Sequence, residues 1–251
     1  MAASQSRQGV SVAGSLRRYR QKRDFTTSPE PTGSSRSKRS KERFFCIQKH
    51  LASHLHYDFR LEHRGVLISW AVPKGPSLDP RVKRLAMRVE DHPLDYGTFE
   101  GVIPSGYGAG IVVLWDRGVW KPLVEDVDEA LHRGKLPFLI VAKKISGAWN
   151  LVRANRAGEG AWLLVKQRDE WASTVDVTLS SPGSIASAGD FAEVLARERR
   201  NPWSEGLPVK SGPTAALYRA ILASAEKVNP STAKRGGRRR THAARSRRSI
   251  V

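Results

Sequence analysis

The chain has 251 residues and a formal net charge of +19, enough length for one sizeable domain with extensions or for two small ones. Its single cysteine, Cys46, excludes an intramolecular disulfide and a thiolate metal cluster and fits a reducing compartment. No apolar stretch approaches the ~20 residues of a membrane span, and the basic N-terminus lacks the continuous apolar core of a signal peptide. A cytoplasmic protein without membrane partners is therefore expected.

The charge is unevenly distributed. Residues 1–43 carry +8, residues 44–208 carry +1 and residues 209–251 carry +10. A near-neutral body between two polycationic arms points to a polyanion, nucleic acid before anionic lipid, and so to a nucleoid-associated location. The plain alternative for a run such as Lys234-Arg235-Gly236-Gly237-Arg238-Arg239-Arg240 is a solvated tail with no specific partner.

In chain order, residues 1–43 are rich in Ser, Gly, Pro and basic side chains and read as a largely disordered arm, with an Arg-Asp-Phe segment at 23–31 able to dock on the body. From Phe44 the pattern changes to short runs of aromatic and β-branched residues punctuated by Gly, Pro and Asp. Strands are predicted over 44–50, 54–62, 67–72, 85–89, 110–115, 118–121, 138–143, 148–153 and 161–166. The segment Trp115-Asp116-Arg117-Gly118 reads as a tight hairpin turn. One helix interrupts the strands, with Asp126 as its cap, Glu129 at capping-box spacing and Gly134 at its end. The fold class is thus mainly β, a compact antiparallel β-barrel over 44–172 with a short helix. A weakly helical extension over 173–229, with short helices at 191–199 and 214–226, and a disordered basic tail over 230–251 complete the chain.

Five of the seven histidines fall between positions 50 and 92. From His54 to Glu62 polar and apolar residues alternate, so a strand places His56, Asp58 and Arg60 on one face and Tyr57, Phe59 and Leu61 on the other. Same-face neighbours lie ~7 Å apart, close enough for His56 and Asp58 to lean toward one ion. If 44–50 pairs with 54–62 across Leu51-Ala52-Ser53, His50, which shares a face with Gln48, completes a two-His, one-carboxylate set. Such nitrogen and oxygen donors suit Mn, Fe, Zn or Co. A polar, solvent-facing strand is the alternative.

Arg60 beside a metal would match two oxygens of phosphate or carboxylate. His92, at a loop edge before Pro93, is a candidate phosphate ligand or general acid; alone it would be an ordinary surface histidine. The stiff loop after Trp70 could hold Lys74 over an anion or serve only as a turn. The glycine-rich stretch 101–110 lacks the Gly-Lys-Ser/Thr ending of a Walker loop, and close backbone packing explains it as well.

Gln48-Lys49-His50, His56-Tyr57-Asp58-Phe59-Arg60-Leu61-Glu62, Ser69-Trp70-Ala71-Val72-Pro73-Lys74-Gly75-Pro76, Val89-Glu90-Asp91-His92-Pro93-Leu94-Asp95-Tyr96 and Phe99-Glu100-Gly101-Val102-Ile103-Pro104 occur in this order. Together they closely resemble the 3′-phosphoesterase domain of bacterial DNA ligase D, over residues 23–172. The resemblance implies a Mn²⁺-dependent enzyme, with Co²⁺ or another divalent ion as substitute, that trims DNA 3′ ends. It removes a terminal ribonucleoside and then the 3′-phosphate, leaving a hydroxyl.

Carried over by position, the metal ligands are His50, His56 and Asp58, and the phosphate site is Arg60, His92 and Tyr96. Gln48, Lys74, Arg84 and Glu90 support it, and Arg23, Asp24 and Glu30 help hold the ribonucleoside. The implied partners are DNA 3′ ends, such as a primer-template ending in a ribonucleotide, and a separate DNA ligase D or Ku. Two departures stand out. Pro104-Ser105-Gly106-Tyr107 is one residue shorter than the family's loop and lacks its acid and glutamine, and no polymerase or ligase domain is expected to follow.

Two rival readings exist. A non-haem Fe(II), 2-oxoglutarate-type oxygenase would use His56, Asp58 and His92 on a similar all-β fold. A non-catalytic DNA-binding module would keep the basic arms around a decayed site.

Overall fold

The computed structural model describes residues 12–33, 42–198, 201–203 and 206–228. Two short helices, α1 (Val12–Ser15) and α2 (Arg17–Gln21), precede the first three strands, β1 (Phe44–Leu51), β2 (Leu55–His63) and β3 (Val66–Val72). After them come β4 (Lys83–Arg88), the two-residue β5 (His92–Pro93), a 3-10 turn over Leu94–Thr98 and β6 (Gly101–Ile103). β7 (Gly110–Pro122), α3 (Val127–Arg133), β8 (Lys135–Ala142), β9 (Gly147–Arg153) and β10 (Ala161–Lys166) complete the sheet. Three helices follow: α4 (Val177–Ser180), α5 (Phe191–Ala196) and α6 (Gly212–Val228).

The sheet order β1-β2-β3-β4-β10-β9-β8-β7 is antiparallel throughout and closes through pairing of β7 with β1, from Phe44 opposite Val119 to Leu51 opposite Ile111. Closure leaves these eight strands no free edge. The expected mainly β, barrel-type fold is therefore present. β5 and β6 are too short to carry a sequence pattern.

The hairpin expected at Trp115-Asp116-Arg117-Gly118 does not form; β7 runs straight through it. Opposite β1 the register passes from Ile47–Asp116 to Gln48–Leu114, leaving Trp115 as the extra residue of a bulge. The fully buried Asp116 accepts the N–H groups of Arg117, Lys144 and Ile145, so it anchors the neighbouring β8–β9 turn. A Cβ at Gly118 would lie 2.1 Å from the Val141 carbonyl, so glycine here lets β8 approach. The punctuation was real; it marks a bulge and a close contact instead of a reversal.

The helix signals around α3 hold more directly. Asp126 Oδ1 accepts from Asp128 N–H and Glu129 N–H at 2.8 and 3.0 Å, and Gly134 ends the helix in the left-handed region. Glu129 pairs with Arg133 four residues on. A reciprocal capping box, Asp190 with Glu193, opens α5.

Phe59 of β2 contacts Phe138 of β8, at 5.8 Å between ring centroids. These strands are not neighbours in the sheet, so Phe59 points into the barrel, with Trp70, Trp115 and Trp149 also buried in the same core. Each such aromatic contributes on the order of 2–3 kcal/mol by leaving water. Alternation then turns Asp58 and Arg60 outward.

They are nevertheless buried, and Tyr19, Arg23 and Glu30 of the N-terminal segment reach over that side to His92 and Tyr96. For residues 12–22 the expectation of disorder is corrected, while the Arg-Asp-Phe segment lies against the body through Arg23. Leu16 and Tyr19 are buried in the core, and Tyr19 Oη donates to Pro31 O at 2.6 Å. Two anchors suffice here where composition showed no core. Residues 1–11, 34–41 and the tail 230–251 lie outside the described residues.

The helices expected at 191–199 and 214–226 appear as α5 and α6. They bury a second small core of Phe191, Trp203, Tyr218 and Ile221 against Leu51, Ile111 and Val113. Among the described residues no helix is long and apolar enough to cross a membrane.

Candidate active site

The β1–β2 hairpin pairs His50 with His56 and Gln48 with Asp58. His50, His56 and Asp58 each offer one ligand atom, and these atoms lie within 4.8 Å of one another. Asp58 Oδ2 is 3.5 Å from His50 Nδ1 and 3.7 Å from His56 Nε2. The far nitrogens are held by backbone: His50 Nε2 donates to Gly108 O and His56 Nδ1 to His54 O, each at 3.0 Å. A carbonyl only accepts, so in the neutral rings those nitrogens carry the hydrogens, which leaves His50 Nδ1 and His56 Nε2, the atoms beside Asp58, as the ones an ion would take. This donor set fits a divalent metal ion. Cys46 adds nothing to it, since burial pushes its thiol up to about 12.

Behind the triad Arg60 is almost fully buried. Its NH2 lies 3.1 Å from Asp58 Oδ2, its Nε donates to Gln48 Oε1 at 2.8 Å, and its NH1 is 2.9 Å from His92 Nδ1. Gln48 in turn donates to the carbonyls of Tyr96 and Phe99 at 3.0 and 2.8 Å, which fixes the orientation of its amide. The guanidinium sits 4.9 Å from the centre of the Tyr96 ring.

These contacts set the protonation states. Burial opposes the charge on Asp58, yet Arg60, His56 and His50 hold its carboxyl well below the usual range. Burial also disfavours the His56 imidazolium, but the Asp58 charge outweighs it and raises the pKa. His50 is lowered, chiefly by burial. His92 is pushed far down by burial, then by Arg60 and Arg23. Burial, followed by Glu30, raises the Tyr96 phenol well above its ordinary value.

The N-terminal segment completes the enclosure. Arg23 reaches Glu30 at 2.8 Å, Glu90 at 3.2 Å and His92 Nε2 at 3.2 Å, with its guanidinium over the Tyr19 ring. Tyr96 Oη donates to Glu30 at 2.9 Å. Lys22 bridges Glu90 and the Tyr107 hydroxyl at 2.9 and 3.2 Å. Of these, Arg23, Glu30, Glu90, His92, Tyr96 and Tyr107 line a cavity of about 430 Å³ together with the histidine–aspartate set, within the size range of small-ligand sites.

Of the residues singled out from sequence, His50, His56, Asp58, Arg60, Glu90, His92, Tyr96, Arg23 and Glu30 line this cavity, and Gln48 stands directly behind Arg60. Three others lie apart from it. Lys74 is exposed after β3, Arg84 is half-buried on β4, and the exposed Asp24 accepts from Thr26 to close its own turn. Tyr19, Lys22 and Tyr107 were missed, as were the carbonyls of His54 and Gly108. An unremarkable basic helix gave no sign of its partners some seventy positions downstream, and a carbonyl has no signature in sequence. The oxygenase reading is corrected in its ligand set: the third donor beside His56 and Asp58 is His50, whereas His92 faces two guanidiniums.

Residues 48–153 match the family model described as the DNA ligase D 3′-phosphoesterase domain. That stretch belongs to this family. The multifunctional non-homologous end joining protein LigD of Pseudomonas aeruginosa is 50% identical over 204 residues, covering 76% of the chain and 24% of that protein. LigD of Mycobacterium tuberculosis is 44% identical over 160 residues, 63% of the chain and 21% of the relative. LigD of Mycolicibacterium smegmatis is 35% identical over 193 residues, 74% and 23% respectively. The chain spans about a quarter of the length of these curated relatives. The ligase D phosphoesterase match contains the His50, His56 and Asp58 cluster together with Arg60, His92 and Tyr96.

Proposed function

We propose that this phosphoesterase domain trims DNA 3′ ends for end joining in the cytoplasm, at the nucleoid, releasing a terminal ribonucleoside and then the remaining 3′-phosphate with Mn²⁺ as its resident ion. The observation that carries the reading is the convergence of an oriented two-His, one-carboxylate set and two guanidiniums, Arg60 and Arg23, on one cavity. His50, His56 and Asp58 would hold the ion, which supplies Lewis-acid polarisation of a phosphate oxygen and a bound water of lowered pKa.

The remaining roles fall to the chain's own side chains. Arg60, locked by Gln48 and Asp58, offers its charge to the non-bridging phosphate oxygens without reorganising. His92, held neutral, acts as a hydrogen-bond partner of the phosphate. The Tyr96 phenol stays protonated and donates, to Glu30 at rest and to a phosphate oxygen when one displaces that carboxylate. Arg23 and Glu30 form the rim where the leaving ribonucleoside would sit. Lys74 and Arg84, outside the cavity, are left to the DNA strand beyond it, and a separate ligase D or Ku would receive the hydroxyl end.

The test is a primer-template ending in one ribonucleotide, incubated with and without Mn²⁺. Metal-dependent loss of the ribonucleoside followed by a 3′-hydroxyl is expected, and His56→Ala or Asp58→Ala should abolish both steps. An unshortened primer would favour the binding-module reading.

A further inference from the structure

The extension after the barrel grips backbone on both sides of the metal-ligand set. Tyr218 of α6 is fully buried, and its hydroxyl donates to the carbonyl of Leu51, with the Ala52 carbonyl 3.2 Å away. The first ends β1 and the second opens the β1–β2 turn. Within that turn Ala52 N–H bonds His54 O, the same oxygen that takes the proton of His56 Nδ1. Trp203 packs edge-on against Tyr218, with ring centroids 5.1 Å apart, and its Nε1 donates to Pro104 O at 3.0 Å. Pro104 opens the glycine-rich loop that delivers Gly108 O to His50 Nε2.

Each ligand histidine thus takes its tautomer from a carbonyl on a segment tied down by one member of this aromatic pair. We propose that Tyr218 and Trp203 are positioning residues of the metal centre: Tyr218 sets His56 through the hairpin turn, and Trp203 sets His50 through the glycine loop. Neither touches the ion or the substrate. The inference rests on the metal reading proposed above and gives the helical extension a task the barrel cannot perform alone, because the turn and the loop lie at its surface. A polar group that orients a metal ligand through its second nitrogen is worth ~10–100-fold in affinity. A group one bond further out should be worth about the lower end of that range.

The experiment uses the full chain and three variants, Tyr218→Phe, Trp203→Phe and Ile221→Val. Ile221→Val trims the same small core without touching either carbonyl. Mn²⁺ binding is followed by the electron paramagnetic resonance of the free ion, and folding by circular dichroism. The histidine tautomers of the metal-free protein are read from long-range proton–nitrogen NMR couplings. In Tyr218→Phe the His56 ring should lose its single Nδ1–H tautomer while His50 keeps Nε2–H; in Trp203→Phe the pattern should reverse. Mn²⁺ affinity should fall about tenfold in each, and Ile221→Val should change neither quantity.

Unchanged tautomers and affinity in both aromatic variants overturn the proposal. So does an equal loss in all three, which would mark a general effect of loosening the helical core; any aromatic variant that loses the native circular dichroism spectrum is counted as that loss. His56→Ala separates this from failure of the underlying reading: if it binds Mn²⁺ like the parent chain, the metal assignment itself falls.

Discussion

His92 Nδ1 lies 2.9 Å from the Arg60 guanidinium, on the side of the ring opposite Arg23, which stands 3.2 Å from Nε2. The Glu90 carbonyl, 2.9 Å from the same Nδ1, competes with Arg60 for it, and a neutral ring can satisfy only one of them. An imidazole between two cations resists a proton. His92 is therefore set up to meet an incoming anion as a neutral partner whose hydrogen can change sides.

Replacing Arg23 with Met removes one of those cations. The His92 ring should then titrate at higher pH than in the parent chain, followed by its ring proton shifts. An unmoved titration would mean that Arg23 does not act on the ring.

Stability should also fall on acidification. The unfolded chain protonates His92 as pH drops through the ordinary value of 6.5, whereas the folded chain, with its pKa pushed far lower, does not. Unfolding therefore takes up a proton, and the folded state loses up to ~1.4 kcal/mol per pH unit below that point. His50 adds to this and His56, raised, opposes it. Urea unfolding of the metal-free protein between about pH 5 and 7 should show the loss, and His92→Gln should flatten it.

Arg60→Met should abolish release of phosphate from a 3′-phosphorylated primer and cost about 3–5 kcal/mol of stability, since it strands Asp58 in a buried position. Arg60→Lys should recover stability but little activity, because an ammonium cannot reach Gln48, Asp58 and His92 at once. Denaturation midpoints and phosphate release measured on the same samples separate the two effects.

Much of this site was readable from alternation alone. His56, Asp58 and Arg60 share a face because a strand repeats every two residues, and His50 follows once the hairpin is paired. What could not be read depends on distance in the chain. Tyr19 and Lys22 sit in a stretch whose composition resembles a linker, and only the folded barrel supplies their partners His92 and Glu90. Asp116 and Gly118 show the opposite failure: a strong local turn signature was overridden by ladder pairing on both sides of β7. Arg84 was grouped with the site by resemblance and Lys74 by its stiff loop as well, and both lie outside its cavity.

Removing residues 230–251 takes away eight basic side chains. DNA affinity should fall, and its dependence on salt should become shallower, while turnover on saturating primer stays nearly constant. Binding isotherms at several salt concentrations, with a rate measurement at saturation, check this. A large drop in the saturated rate would show a role beyond tethering.

β1 carries Gln48 and His50, and it is also the strand on which β2 and β7 meet to close the barrel. Its pairing with β2 is local, but joining Gln48 to Leu114 closes a long loop, so that seam should zip late in folding. The ligand set straddles the two events, since His56 belongs to the early hairpin and the Gly108 carbonyl that aims His50 belongs to the late closure. An ion bound there would act as a latch on the last step of assembly. Amide protons along the β1–β7 seam should exchange more slowly with ion present than those of β9 and β10, which pair on the other side of the barrel.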